Sequence, residues 1–161
     1  MVTGIVIPHE SELAMQRVEF RNLTDYQKVV GGYIEEVFVD GETLAIIADD
    51  EGKLKGLPVN KRATLLWWLF SPTAIGTDEL VGDIVILGAP KRGDMTSVPN
   101  SLSRLLLEKH EYRVQVCVSP VQDSWTQIGP NYPNFFEATI SALRLMEVWQ
   151  PPQEVKVVAI E

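Results

Sequence analysis

The sequence predicts an α+β fold, with a strand-rich N-terminal domain containing short helices and a small ββαβ module at the C-terminus. Two observations lead to this prediction: short β-branched runs bounded by turn residues recur along the chain, and they outnumber the helical segments. Residues 90–101 contain two prolines and one glycine among mostly polar neighbours, which is typical of a connection. We therefore predict domains at residues 1–90 and 102–161, joined by a linker at 91–101.

The predicted N-terminal domain contains five strands and two helices. Alternating residues at 33–39, a turn at Asp40-Gly41 and an apolar run at 43–48 indicate a β-hairpin. The T-x-x-Q spacing of Thr24 and Gln27 is that of a capping box, so a helix is expected to start at Asp25 and to stop at Gly31-Gly32. Asn60 is a favourable N-cap for a helix over 61–70. The remaining predicted strands are 2–8, 17–20 and 81–87.

The predicted C-terminal module has three strands and one helix. Residues 112–118 alternate in the manner of a strand, which a turn connects to a second strand at 124–128. Residues 129–134 are rich in Gly, Pro and Asn and are expected to form a loop, with Asn134 capping a helix over 135–149. Two prolines stop this helix, and 155–160 is the closing strand.

Charge is concentrated in one part of the chain. The net charge is −8, and between Lys28 and Lys53 there are seven carboxylates and no lysine or arginine. Direct binding of nucleic acid normally needs a basic surface, so we predict no nucleic-acid partner. An acidic surface can bind a basic surface of another protein, although acidic surfaces also serve solubility alone.

The composition also sets expectations about compartment. The longest apolar run, 65–70, is far too short to cross a bilayer, and no basic segment followed by an apolar stretch opens the chain. The single cysteine, Cys117, can form neither an intrachain disulfide nor a zinc site by itself. These features predict a cytoplasmic protein without a membrane partner.

Motifs for catalysis or metal binding are weak. Asp49, Asp50 and Glu51 precede a glycine, but consecutive acids lack the alternate spacing of a calcium loop. His9 and His110 have no nucleophile at a meaningful spacing, and no phosphate-binding or dinucleotide-binding glycine pattern occurs. We therefore predict no metal, no cofactor and no catalytic residue, and we favour a non-enzymatic function.

The segments GGYIEEVFVD, EGKLKGLPVNKRA and VGDIVILG, in this order and spacing, carry a family resemblance. Over residues 2–90 the chain resembles an uncharacterised domain-of-unknown-function family found in actinobacterial phages, plasmids and host genomes, with GLPVN as the most specific phrase. The C-terminal part is similar in outline to small modules appended to phage proteins. The resemblance implies an accessory protein of a phage or mobile element and transfers no catalytic residue.

Three functional hypotheses follow. The first is binding, with possible inhibition, of a host protein through an acidic rim and an aromatic anchor, formed by Glu35, Glu36, Asp49, Asp50 and Glu51 with Trp67 or Trp68. The second is binding of a small anionic, nucleotide-like ligand at a helix start formed by Asn60, Lys61 and Arg62. For this basic pair, however, the favoured interpretation is that residues 49–51 supply an acidic neighbour. The third is an enzyme of unrecognised type.

Overall fold

The computed structural model describes residues 1–41, 43–117, 124–148 and 154–160. The chain divides into two compact units, Met1–Leu107 and Glu108–Glu161. The first unit is rich in strands and the second is a ββαβ module, so the predicted α+β class is confirmed.

The first unit is built on an antiparallel sheet with the strand order β2-β1-β5-β4-β3 and with β6 paired to β5. β2 and β3 are therefore its two edge strands. The strands are β1 (Val2–Ile7), β2 (Gln16–Phe20), β3 (Ile34–Val37), β4 (Leu44–Asp49), β5 (Ile84–Lys91) and β6 (Asp94–Thr96). The helices are α1 (Leu23–Val30), α2 (Lys61–Phe70) and α3 (Asn100–Leu107), with a single 3₁₀ turn at Pro72–Ala74.

The sheet buries apolar side chains on both of its faces. One face forms a cluster with α1, in which Phe20 and Tyr26 stack with ring centroids 4.4 Å apart. The alternate residues of the same strands, including Ile46, Ile84 and Ile86, are fully buried on the opposite face. Such side chains each contribute roughly 1.5–3 kcal/mol by burial, so the two faces together dominate the stability of this unit.

The start of α1 differs from the prediction. The helix begins at Leu23, not Asp25, because the side chain of Asn22 accepts a hydrogen bond from the Asp25 N–H at 3.1 Å and acts as the N-cap. Asp25 in turn accepts from the Arg21 N–H at 2.8 Å, so the predicted Thr24–Gln27 capping box does not form. The predicted stop at Gly31 is confirmed, since this residue has a φ of 90° and donates to the Gln27 carbonyl.

Residues 91–101, which the sequence suggests as a linker, contain β6 and the first residues of α3, and the first unit extends to Leu107. Arg92 and Gly93 both have positive φ and join the paired residues Lys91 and Asp94. This is a tight two-residue hairpin turn, for which glycine-containing pairs are favoured. The turn reverses the chain onto its own sheet, which explains why linker-like composition occurs inside the unit.

The second unit has the strand order β8-β7-β9, with α4 between β8 and β9 in the chain. Its elements are β7 (Glu111–Cys117), β8 (Trp125–Tyr132), α4 (Phe135–Val148) and β9 (Glu154–Ile160).

Asn134 caps α4 as predicted, since its side chain accepts from the Glu137 N–H at 2.9 Å. The predicted loop over 129–134 is wrong for residues 129–132, because β8 continues to Tyr132 with a shift in pairing register. The predicted end of α4 at Trp149 lies outside the described residues.

Candidate functional site

Asn60 is fully buried and connects three parts of the first unit. Its side-chain oxygen accepts from the Ala63 N–H at 3.0 Å, which confirms the predicted N-cap of α2. Its side-chain nitrogen donates to the Ile7 carbonyl at 2.8 Å and to the Gly82 carbonyl at 2.9 Å. Both donors of the amide are thus used within the protein, and the structure gives Asn60 a structural role.

The basic pair after Asn60 divides between solvent and protein. Lys61 is exposed, whereas the Arg62 guanidinium donates to the Pro8 carbonyl at 2.9 Å and the Glu10 carbonyl at 3.1 Å. Burial lowers the pKa of Arg62, and the charge of Glu12 opposes that shift. The expectation that residues 49–51 neighbour this pair is wrong for Arg62, because carbonyls after β1 accept its hydrogen bonds and Asp49 pairs with Lys55.

The three consecutive acids at the end of β4 separate in space. Asp49 is buried and accepts hydrogen bonds from Lys55 Nζ at 2.6 Å and from the Glu51 N–H at 2.9 Å. Burial alone would raise the pKa of Asp49, but these two hydrogen bonds and the lysine charge lower it overall. Asp49 is therefore an internal ion-pair partner, even though it borders an open groove of about 580 Å³ that Glu51 also lines.

Asp50 lies next to Glu35. The pKa of Glu35 is raised first by burial and then by the charge and the closeness of the Asp50 carboxyl group. Lys53 partly offsets the shift and also forms an ion pair with Asp78. The pKa of Asp78 is lowered chiefly by the hydrogen bond from Lys53, against the effect of burial. Glu36, the next residue of β3, is exposed on the other side of the strand.

The two adjacent tryptophans have different environments. Trp67 is buried and donates from its indole nitrogen to the Phe38 carbonyl at 2.9 Å. Trp68 is half-buried and donates to the Asp78 carbonyl at 3.0 Å. With Lys53, Asp78 and Glu79, Trp68 lines an open groove of about 560 Å³. Only Trp68 is placed to act as a surface aromatic anchor.

Glu35, Asp50, Asp78 and Glu79 form what we call the acidic surface, which contains Lys53 as its basic member. The sequence hypothesis included Glu35 and Asp50 but missed Asp78 and Glu79, which lie in the connection between α2 and β5. Their signal in the sequence is the acidic pair that follows Gly76-Thr77. The fold brings this pair beside the β3–β4 hairpin, which no local pattern indicates.

In residues 1–41, 43–117, 124–148 and 154–160, no three His, Cys, Asp or Glu side chains are grouped so that they could hold a metal ion. His9 contacts the Asp83 carboxylate at 2.9 Å, and the same carboxylate oxygen accepts from the His9 N–H at 2.9 Å. Asp83 thus fixes the backbone after β1 as well as the imidazole ring.

A family model described as a domain of unknown function (DUF3846) matches residues 2–111. The chain belongs to the DUF3846 family. The match covers the whole strand-rich unit except Met1 and reaches the start of β7. No curated protein and no solved structure is significantly similar to this chain. Among the described parts of this DUF3846 protein, no helix has the length and apolar character needed to cross a membrane.

We expect Asn60→Ala to lower the free energy of unfolding by about 3–5 kcal/mol, because it removes an N-cap and leaves two buried carbonyls without donors. Urea denaturation followed by circular dichroism measures the change. Lys61→Ala is the matched control at the adjacent exposed position and is expected to stay within about 0.5 kcal/mol of wild type. Similar stabilities for the two variants would contradict the role given to Asn60.

Asp49→Asn keeps an acceptor for the Glu51 N–H but removes the charge that pairs with Lys55. Near pH 7 we expect its unfolding free energy to be about 1–3 kcal/mol below that of wild type. Because folding lowers the pKa of Asp49, this contribution is complete above the unfolded-state pKa of about 4 and is lost as the pH falls through the folded-state pKa.

Denaturation of both proteins over a pH series tests this expectation. The stability difference should shrink on the acidic side, and a difference that is independent of pH would contradict the ion-pair account. Asp50→Asn is the matched control. It removes a carboxylate that repels Glu35, so its stability should equal or exceed that of wild type near pH 7.

Proposed function

We propose that this DUF3846 protein is a non-catalytic accessory protein of an actinobacterial phage or mobile element, and that it binds a basic surface of a host protein. The observation that supports this proposal is that Asp78, Glu79 and the half-buried ring of Trp68 line one open groove. The charges of Asp50 and Asp78 both act on Glu35, so the negative charge continues from this groove toward β3. Cytoplasmic action in the host cell agrees with the absence of a disulfide pair in the sequence.

The charge distribution favours a protein partner with lysine or arginine at its contact surface. Complementary charge steers association and suppresses wrong partners. Burial raises the pKa of Glu35 and the charge of Asp50 raises it further, so the two carboxylates repel each other when both are ionised. A cation placed between them would relieve this repulsion. Binding would therefore gain from an interaction that the free protein lacks.

Trp68 adds an apolar element to the acidic surface. Its indole nitrogen is already bonded to the Asp78 carbonyl, so the ring is held in place while part of it faces the groove. A guanidinium or ammonium group near an aromatic face is stabilised by cation–π attraction. Aromatic anchors of this kind are common among the residues that dominate interface energies.

Charge reversal tests the proposal. Tagged wild-type protein and the double variant Glu35→Lys/Glu79→Lys would be used to capture proteins from an actinobacterial lysate, with identification by mass spectrometry. The matched control is Glu147→Lys/Glu154→Lys, which makes the same change of net charge at exposed positions of the second unit. We expect wild type and control to retain a common protein that the double variant loses.

Salt provides an independent measurement on the same complex. Retention should fall as ionic strength rises from about 0.05 to 0.5 M, because exposed charge pairs are screened over the shorter Debye length. Recovery of the same proteins by all three baits would contradict binding through the acidic surface.

A further inference from the structure

β3 is an edge strand, and one contact shows which of its residues hydrogen-bond to β4 and which face the open side. Among the described residues it pairs only with β4, and the Asp50 N–H donates to the Tyr33 carbonyl at 2.8 Å. In an antiparallel pair, alternate residues direct both backbone groups toward the neighbouring strand. Glu35 and Val37 therefore bond to β4, and the backbone N–H and C=O groups of Ile34 and Glu36 point to the open side.

The open edge of β3 is protected only by its short length and its two glutamates. Edge strands are commonly guarded by lysine, proline or a bulge, and β3 contains none of these over Ile34–Val37. The residues that flank it, Tyr33 and Phe38, are 73% and 75% exposed. An extended segment placed along the edge would therefore find free hydrogen-bonding groups and two aromatic side chains beside its ends.

The charges of β3 select the kind of strand that could pair there. Glu35 and Glu36 are exposed on opposite faces of the strand. If a second copy paired antiparallel along this edge, the glutamates of the two copies would lie opposite or diagonal to each other. Like charges in those positions are destabilising, which disfavours self-association. A segment with lysine or arginine would instead meet a carboxylate on either face.

We propose that the open edge of β3 accepts an extended, basic segment of a partner polypeptide as an additional strand. Main-chain hydrogen bonds to Ile34 and Glu36 hold the added strand in place, as in other cases of strand addition. The carboxylates of Glu35 and Glu36 select a partner segment that contains lysine or arginine. The inference rests on the proposed function, because it specifies how a basic partner binds. On the Glu35 side, side chains of the added strand would lie next to the acidic surface.

The test uses synthetic peptides and the whole protein. The probe is an end-blocked octapeptide of alternating lysine and valine. Its controls are two peptides of the same sequence, one N-methylated at the odd-numbered residues and the other at the even-numbered residues. Each control therefore blocks the N–H groups along one of the two edges of the extended peptide. We expect the unmodified peptide to slow amide hydrogen exchange at Ile34 and Glu36, measured by NMR. Methylation of the peptide N–H groups that face β3 should weaken peptide binding about tenfold or more.

Two substitutions at one position separate pairing from charge. Glu36→Pro removes an N–H that points away from β4, so the β3–β4 ladder should persist, and thermal unfolding checks this. Glu36→Gln removes the carboxylate and keeps the N–H. We expect Glu36→Pro to bind the peptide about tenfold or more weakly than Glu36→Gln does.

The outcomes distinguish this inference from the function on which it rests. If methylated and unmodified peptides bind equally, and binding is lost in Glu35→Lys/Glu79→Lys, strand addition is overturned and the acidic surface remains the binding site. If no peptide binds and the lysate experiment also shows no charge-dependent partner, both proposals are overturned. Because the N-methylated peptides are used with wild-type protein, the conclusion does not depend on whether Glu36→Pro folds.

Discussion

Asn60 is the contact on which the arrangement of the first unit depends. One buried amide starts α2 and satisfies the carbonyls of Ile7 and Gly82, so the end of β1, the helix and the approach to β5 are held at one point. Thr64, one turn later, accepts from the Leu80 N–H and donates to the Asn60 carbonyl. The 77–82 segment is thereby fixed against α2. Trp68 and Asp78 lie together because this network places their two segments side by side.

The pleat of β4 gives the second constraint. Neighbouring residues at the end of a strand point to opposite faces, so Asp49 and Asp50 have different roles despite being adjacent. Asp49 is held by Lys55 and becomes part of the interior. Asp50 lies beside Glu35, and its charge adds to the burial that raises the pKa of Glu35. Local sequence charge is therefore a poor guide to surface charge wherever an acidic run crosses the end of a strand.

The sequence predicts the features that depend on local physics. The bounds of α2, the N-caps Asn60 and Asn134 and the stop at Gly31 follow from capping chemistry and were confirmed. The features that it does not predict depend on long-range contacts. The acceptors of Arg62 lie 54 and 52 residues earlier in the chain. Likewise, turn-rich composition at 91–101 cannot show whether a chain leaves its domain or, as at Arg92-Gly93, folds back onto it.

The acidity of β3 also bears on whether two copies of this edge could pair with each other. An unguarded edge strand with exposed aromatic neighbours would ordinarily favour edge-to-edge pairing between copies. Glu35 and Glu36 make that pairing repulsive on both faces of the strand, so the same residues that would attract a basic segment also keep copies apart. Specificity here is the difference between the affinity of β3 for a basic segment and its affinity for a second copy of itself, and charge contributes to both affinities. One short, acidic edge could therefore remain free for a partner without lysine, proline or a bulge to protect it.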